Sequence, residues 1–107
     1  MAKVKETIYI SGKITESKFY KLHFMLVSAK LNILGYKVYN PVKICSRMPK
    51  WTIHDEYMHI CLEVLTMADS IYMMRGWEDS KGANLELEKA EKRGTKIYHW
   101  DMFDMRR

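Results

Sequence analysis

Glu86 is the residue whose type and position most directly suggest chemistry. It follows the start of a predicted helix at roughly residues 83–93, and at about 100° per residue it lies beside the apolar stripe of that helix. We therefore expect a half-buried carboxylate that the helix N-terminus keeps ionised, the form in which a carboxylate acts as a nucleophile. The alternative is a solvated glutamate like Glu88 and Glu91, and periodicity alone favours that alternative.

The residues that begin this helix are suited to bind an anion. Ser80, Lys81 and Gly82 precede the helical stripe, and the free backbone N–H groups and dipole of a helix start favour negative charge. Lys13 follows the turn residue Gly12 and is placed to pair with a phosphate. An ordinary surface lysine is the alternative for Lys13.

Aromatic side chains supply the remaining candidates. Tyr9 alternates with its isoleucine neighbours near the end of the first predicted strand, so its hydroxyl can point into the same crevice as Glu86; a core tyrosine is the alternative. Trp51 and Trp77 lie in the two long loops, where an indole can stack on a base, cover the core or anchor an interface. The four histidines show no metal-binding spacing, so we predict no metal, and no cofactor is expected.

The elements that position these residues alternate along the chain. Connections of helical length between strands argue for a three-layer α/β fold, with a parallel sheet of about four to five strands and helices on both faces. Ligands of such sheets bind beyond the carboxyl ends of the strands, which selects Ser11 to Lys13, the loop after Asn40 and the loop 75–82. The predicted strands are 7–11, 36–39, 70–74 and 95–98, followed by a polar tail.

Two further helices are predicted from their apolar periodicity. The first begins at Thr15 as N-cap and stops at Gly35, and the second follows Thr52, after a loop at 41–51 that Pro41 introduces. We expect the apolar stripe of each helix to face the core. These stripes are Phe19, Leu22, Leu26, Ala29 and Ile33 in the first helix, and Ile53, Tyr57, Ile60, Val64 and Met67 in the second.

Composition limits the classes of protein to consider. The 107 residues predict a single domain over 1–107, and the absence of a long apolar run or leader sequence predicts a soluble, cytoplasmic protein without a membrane partner. Cys45 and Cys61 are expected to be reduced thiols. The net charge of +5 is spread along the chain, which argues against a nucleic-acid partner. A small ligand that bears a phosphate explains the positive charge as well as nucleic acid does. The nine methionines suit an oligomer interface.

Four segments in this order resemble the nucleoside 2-deoxyribosyltransferase-like superfamily. The resemblance spans nearly the whole chain, and it is nearest to a subgroup of short members and more distant to the deoxynucleoside monophosphate N-glycosidases. It rests on Tyr9-Ile-Ser-Gly-Lys-Ile14, Asn40-Pro41, Ala68-Asp69 and Ser80-Lys-Gly-Ala-Asn-Leu-Glu86.

The resemblance implies a flavodoxin-like or Rossmann-like sheet and cleavage or exchange of the N-glycosidic bond of a 2′-deoxynucleoside or its monophosphate. Glu86 stands at the position of the nucleophile, which forms a deoxyribosyl-enzyme ester, and Tyr9 matches the tyrosine that orients it. Ser80 matches the serine that contacts the 5′-phosphate in the monophosphate-specific branch, so a nucleotide is favoured over a nucleoside. With Ser11, Gly12, Lys13, Lys81, Gly82 and Trp77 it forms the expected substrate-binding set, and a homo-oligomer is expected.

One position departs from the resemblance. Eight residues before Asp69, catalytic members carry an aspartate beside the nucleophile, but this chain has Cys61, and a thiol is a poor general acid for a departing base. Asp55, His59 and Glu63 are the candidates to replace it, while Asp69 is expected to be structural. Two alternatives to an enzyme therefore stay open: a nucleotide-binding module with weak or no turnover, and association with nucleic acid through the positive charge.

Overall fold

The computed structural model describes residues 6–13, 20–45, 48 and 54–103. Its elements alternate between strands and helices along most of this length. Two short 3-10 turns, at Trp77–Asp79 and Trp100–Phe103, follow the third and fourth strands. The strands are β1 (Thr7–Ser11), β2 (Lys37–Tyr39), β3 (Ser70–Met73) and β4 (Lys96–His99), and the helices are α1 (Tyr20–Ile33), α2 (Pro41–Cys45), α3 (His54–Leu65) and α4 (Lys81–Arg93).

The four strands form one parallel sheet in the order β2-β1-β3-β4. The two central strands are the most apolar and the most buried, with Tyr9 of β1 opposite Ile71 of β3, and Ile71 opposite Ile97 of β4. Continuous burial of short β-branched runs is typical of strands covered on both faces. The predicted parallel α/β sheet is confirmed, with four strands among the described residues.

Helices cover both faces of the sheet, and the alternation of side chains along β1 decides which residues meet which helix. Ile8 and Ile10 pack against α1, through Phe24 and Leu31. Tyr9 faces the other side of the sheet. There it joins an apolar cluster with residues of β3, α3 and α4, whose buried members are Cys61, Leu65, Ile71, Met73, Ala83 and Ala90. The result is the predicted three-layer arrangement.

The apolar stripe predicted to bury α1 is wrong within the described part of the helix. The buried side chains are Phe24 and Leu31, whereas Leu26 is 57% exposed and Ile33 is 85% exposed. At 100° per residue these two pairs lie on opposite sides of the helix, so α1 carries an apolar stripe on each side. We call the exposed one the outer stripe, and it consists of Leu22, Met25, Leu26, Ala29 and Ile33.

The stripe predicted for the second long helix is also displaced. Ile60 and Met67 are exposed, and Cys61 and Leu65 are the side chains buried against the sheet, one position along from the predicted Ile60 and Val64. Successive residues point about 100° apart around a helix, so moving the buried positions by one residue means that a different face of α3 meets the sheet. Phe19, Thr15, Trp51, Thr52 and Ile53, which also belonged to these predictions, lie outside the described residues.

The segment predicted as a loop after Asn40 contains the short helix α2. Asn40 caps it, because its side-chain Oδ1 accepts a hydrogen bond from the Val42 N–H at 3.0 Å. Pro41 occupies the first helical position, where proline is favoured because its missing N–H is not needed. The Asn-Pro pair is therefore a helix start here as well as the end of a strand. The start of α4 is likewise two residues earlier than predicted.

Candidate active site

Glu86 is buried on the face of α4 that packs on the sheet. The helix begins with Ser80 as N-cap, whose side-chain oxygen accepts a hydrogen bond from the Ala83 N–H at 3.1 Å. Ala83, Glu86 and Ala90 then follow at spacings of three and four and form the buried side of the helix. The small alanines allow the helix to approach the strands closely, and only 6% of Glu86 is exposed. The alternative of a solvated helix glutamate is thereby excluded.

Two side chains of β1 donate hydrogen bonds to the Glu86 carboxylate. Tyr9 and Ser11 are two residues apart and therefore project from the same face of the strand, and both are fully buried. The Tyr9 hydroxyl donates to Oε2, and the Ser11 hydroxyl donates to Oε1 at 2.7 Å. Each carboxylate oxygen thus has a donor, and the side chain is held in one orientation.

Burial changes the ionisation of Glu86 from what the sequence predicts. Removal from water raises the pKa of this carboxyl from 4.5 to about 7, while the hydrogen bonds from Tyr9 and Ser11 oppose the rise. The helix N-terminus was expected to keep the group ionised, but that influence fades within the first turn and Glu86 is the sixth residue of α4. Near neutral pH the carboxyl consequently exists in both forms.

Tyr9 remains a hydrogen-bond donor throughout this range. Burial raises the pKa of its hydroxyl well above 10, and the neighbouring Glu86 and Cys61 raise it further. Cys61 is buried in the same apolar cluster as Tyr9, on the side of α3 that faces the sheet. Sequence reasoning identified Cys61 as a departure from the family pattern but gave no signal of this burial.

The predicted anion-binding residues lie at the carboxyl edge of the sheet. Gly12 follows β1 directly, and a Cβ there would lie 2.8 Å from the sulfur and 2.9 Å from the Cβ of Met74, so only glycine lets the ends of β1 and β3 approach this closely. Lys13 is exposed after it. At the start of α4, Lys81 is exposed and Gly82 lies against Met58 of α3. Whether these residues bind an anion stays a prediction.

Trp77 serves the core at least in part. It lies in the 3-10 turn between β3 and α4, half-buried against the apolar cluster that contains Tyr9. Its ring centroid is 6.0 Å from that of His99 at the end of β4. The interpretation as a cover for the core therefore has a structural basis, and stacking on a base stays a prediction.

None of the candidates to replace the family aspartate is placed beside Glu86. Asp55, His59 and Glu63 are exposed on α3, and on a helical wheel His59 and Glu63 lie on the opposite side from Cys61. Asp55 and His59 instead line a shallow surface depression of about 320 Å³. Asp69 binds Thr7 through its carboxylate, as expected for a structural residue at the start of a strand.

Within residues 6–13, 20–45, 48 and 54–103, no group of three histidine, cysteine or acidic side chains is arranged to hold a metal ion. No helix in those ranges has the length and apolar character that crossing a membrane requires.

Comparisons with known proteins place this geometry in context. Residues 6–99 match the family model described as "Domain of unknown function (DUF4406)". No curated protein matches the chain at a significant level.

Among solved structures, the fold is similar to that of a 2-deoxyribosyltransferase from Bacillus psychrosaccharolyticus. The TM-score is 0.70 at 18% sequence identity, and the match covers 87% of this chain and 70% of the other. That enzyme is described as a biocatalyst for the synthesis of antiviral and antitumoral nucleosides. The resemblance to the 2-deoxyribosyltransferase-like superfamily is confirmed at the level of the fold.

Proposed function

Because the chain belongs to the DUF4406 family and shares its fold with a 2-deoxyribosyltransferase, we propose that it cleaves or exchanges the N-glycosidic bond of a 2′-deoxynucleotide or 2′-deoxynucleoside. One observation carries this proposal: Glu86 is a buried carboxylate whose two oxygens accept hydrogen bonds from Tyr9 and Ser11. Burial raises the pKa of this carboxyl, and ionisable groups with shifted pKa values are typical of functional sites.

In the proposed reaction, ionised Glu86 attacks C1′ of the deoxyribose. The C1′–O bond to the carboxylate forms while the C1′–N bond breaks, and the base leaves with the bonding electron pair and takes up a proton from water. The resulting glycosyl ester is then attacked at C1′ by water or by a second base, which releases the carboxylate. Tyr9 and Ser11 act by fixing the direction of the carboxylate before the attack.

The proposed substrate contacts lie around the same edge of the sheet. Lys13, just after the end of β1, and Lys81, at the start of α4, are exposed cations. A 5′-phosphate is the anion that this group would bind, together with the Ser80 hydroxyl. The Trp77 indole is the proposed stacking surface for the base.

The test incubates the protein with a panel of deoxynucleoside monophosphates and free deoxynucleosides and measures the released base by chromatography. Wild type should release base, Glu86→Ala and Glu86→Gln should not, and Glu88→Gln on the exposed side of the same helix should behave as wild type. Because only the ionised form attacks, the rate should rise with pH through about 7. Failure of wild type on every member of the panel would refute turnover of these substrates.

A binding module without turnover is the second candidate, and a specific observation favours it. Cys61, at the position of the family aspartate, lies in the buried cluster with Tyr9, while Asp55, His59 and Glu63 are exposed, so none of these three is placed to protonate a base leaving Glu86. Thermal stabilisation by a nucleotide that is recovered intact after long incubation would support binding alone.

We further propose that the chain self-associates through the outer stripe of α1. Exposed apolar side chains that follow one another along a helix indicate an interaction surface, whereas single ones do not. In an antiparallel pairing of two α1 helices centred between Leu26 and Ala29, Leu22 meets Ile33 of the second copy. Lys21 and Lys30 lie on the two flanks of the outer stripe rather than within it.

A further inference from the structure

His99 lies in the same row of the sheet as Ser11. Across the adjacent strands β1, β3 and β4, Ser11 is paired with Met73, and Met73 is paired with His99. Paired residues of a parallel sheet project their side chains from the same face, and on that face the Ser11 hydroxyl donates to Glu86. Two strand spacings, about 10 Å, separate the backbones of Ser11 and His99. His99 therefore stands on the face of the candidate site, at the carboxyl ends of the strands.

The Trp77 indole adjoins the His99 imidazole on this face. Trp77 packs against the apolar cluster that contains Tyr9, and its ring centroid is 6.0 Å from that of His99, with the two ring planes inclined by 41°. Met73, between Ser11 and His99 in the row, is fully buried, whereas Trp77 and His99 are both partly exposed. The two rings are thus open to a ligand that Met73 cannot contact.

The chemistry of a leaving base calls for a hydrogen-bond donor at this place. A base attached to C1′ beside Glu86 and stacked on Trp77 extends along the row toward His99. The edge of every nucleobase carries ring nitrogens or carbonyl oxygens that accept hydrogen bonds, and they gain electron density as the C1′–N bond breaks. Imidazole keeps at least one N–H donor whether it is charged or neutral.

We propose that His99 is a catalytic residue that contacts the base and donates an imidazole N–H to one of its acceptor atoms as the base departs. The C1′–N electron pair passes to the base while the C1′–O bond to Glu86 forms, and the hydrogen bond from His99 stabilises the charge that develops on the base. The proton that completes the free base still comes from water. This inference rests on the proposed function, because it names the group that stabilises the leaving base of that reaction.

The assignment takes this task from α3 to β4. On α3 the position of the family aspartate is Cys61, which is buried in the apolar cluster, and the polar candidates of that helix are exposed. His99 comes from the last strand instead, and it is placed by the pairing of β3 with β4.

The experiment compares an ordinary leaving base with an activated one. The first substrate is the deoxynucleotide of the panel that wild type uses best, and the second is the same nucleotide with a base that leaves without a donor, methylated at N7 for a purine or nitrated at C5 for a pyrimidine. His99→Phe keeps an aromatic ring against Trp77 but has no N–H, so it should lower kcat about 100-fold on the first substrate and by about threefold or less on the second. His23→Gln, exposed on α1 at the other face of the sheet, is the matched control and should act as wild type on both.

The ratio of the two losses decides between a catalytic and a packing role. An equal loss on both substrates, which a disturbed Trp77 or a misplaced strand end would cause, overturns the proposal, and so does the absence of a loss on either substrate. If His99→Phe does not fold, His99→Ala takes its place in the same comparison, with the same outcomes deciding.

Contact with the base is measured without turnover. In Glu86→Gln protein labelled with carbon-13 in its histidines, the His99 ring signal is assigned by its loss in the His99→Phe variant of that protein. The signal should shift on addition of the deoxynucleotide and stay in place on addition of deoxyribose 5-phosphate, which has no base. No shift with the deoxynucleotide, or an equal shift with both compounds, overturns the contact.

The two measurements separate this inference from the proposed function. If wild type releases no base from any substrate but the His99 signal shifts only with the base-bearing compound, the proposed turnover fails and the base contact at His99 stands. If wild type releases base but His99→Phe loses nothing on the ordinary substrate, the proposed function stands and the role of His99 is refuted.

Discussion

At the scale of single residues, Glu86 in its ionised form destabilises the fold that contains it. Its pKa is about 7 in the folded chain and 4.5 when exposed to water, so the folded state binds the proton more tightly. The free energy of unfolding therefore falls as pH rises from 4.5 to about 7, and the full penalty is present above that range. The difference corresponds to about 3 kcal/mol. A group retained at this penalty is more consistent with a functional role than with a structural one.

Glu86→Gln should consequently stabilise the protein in a pH-dependent way. Glutamine has the shape of the protonated side chain and carries no charge, so the gain should approach about 3 kcal/mol near pH 8 and vanish near pH 4.5. Urea unfolding at several pH values measures it. The exposed Glu88→Gln is the matched control and should show no such trend; a gain that is constant across pH would contradict the assignment of the penalty to ionisation.

The contacts of the candidate site were predictable from sequence only where the alternation of a strand or the period of a helix decides which side chains meet. Tyr9 and Glu86 were expected in one crevice, and their hydrogen bond is consistent with that expectation. Ser11 was assigned to substrate binding because it ends a strand, but its hydroxyl is directed to Glu86. The burial of Cys61 in the cluster with Tyr9 was not predictable, since it depends on which side of α3 faces the sheet, and the periodicity favoured the wrong side.

At the scale of elements, Ser80 connects helix stability with the proposed phosphate site. Ser80→Ala removes the oxygen that accepts from the Ala83 N–H and should lower the free energy of unfolding by about 1 kcal/mol. Ser80→Asp keeps a capping oxygen and should preserve stability while it selectively impairs use of monophosphates, because its charge repels the phosphate. Thermal unfolding and the ratio of kcat/KM for monophosphate over nucleoside measure the two effects. An unchanged ratio in Ser80→Asp would remove Ser80 from the phosphate site.

The starts of β1 and β3 are joined by Thr7 and Asp69. The Asp69 carboxylate accepts from the backbone N–H and the hydroxyl of Thr7, both at 3.0 Å, and the Thr7 hydroxyl oxygen accepts from the Asp69 N–H at 2.9 Å. The backbone hydrogen bond from Thr7, followed by that from its hydroxyl, lowers the pKa of Asp69 below 3.8. The stabilisation is therefore present above 3.8 and is lost as pH falls through the folded-state pKa.

Asp69→Asn should accordingly lower the Tm at neutral pH, and the difference from wild type should shrink in acid below about pH 3.8, where wild type also loses the charge. Differential scanning calorimetry between neutral pH and pH 3 measures it. Asp79→Asn in the exposed 3-10 turn is the control with the same change of charge. If both variants lower the Tm equally, the paired hydrogen bonds are not the cause.

The elements themselves were predictable to different degrees for physical reasons. β1 and β3 were correct to within one residue, because buried β-branched runs bounded by polar residues have few alternatives. α2 was missed because Asn40-Pro41 ends a strand and caps a helix with the same two residues. The core face of α1 was not predictable, because the helix is apolar on both sides and periodicity alone does not say which side meets the sheet.

At the scale of the whole molecule, the strand order decides which residues and helices lie next to one another. With β1 and β3 adjacent and parallel, Ser11, Gly12 and Met74 lie at one edge, and the Met74 N–H donates to the Ser11 carbonyl at 2.8 Å. The connection from β3 into α4 then places Glu86 against β1, where it contacts Tyr9 and Ser11. The same topology puts α3 and α4 on one face of the sheet and α1 on the other, so the outer stripe points away from the candidate site.

Self-association through α1 should therefore be separable from the chemistry of Glu86. Leu26→Glu places a charge in the middle of the outer stripe and should weaken dimerisation by about tenfold or more, because a central apolar contact is replaced by a desolvated charge. Asn32→Glu adds the same charge on the flank of the same helix and should weaken it much less. Sedimentation at several protein concentrations measures both. A wild-type chain that is monomeric at every concentration would refute the interface, and equal dissociation of both variants would show that charge alone, rather than the outer stripe, governs the association.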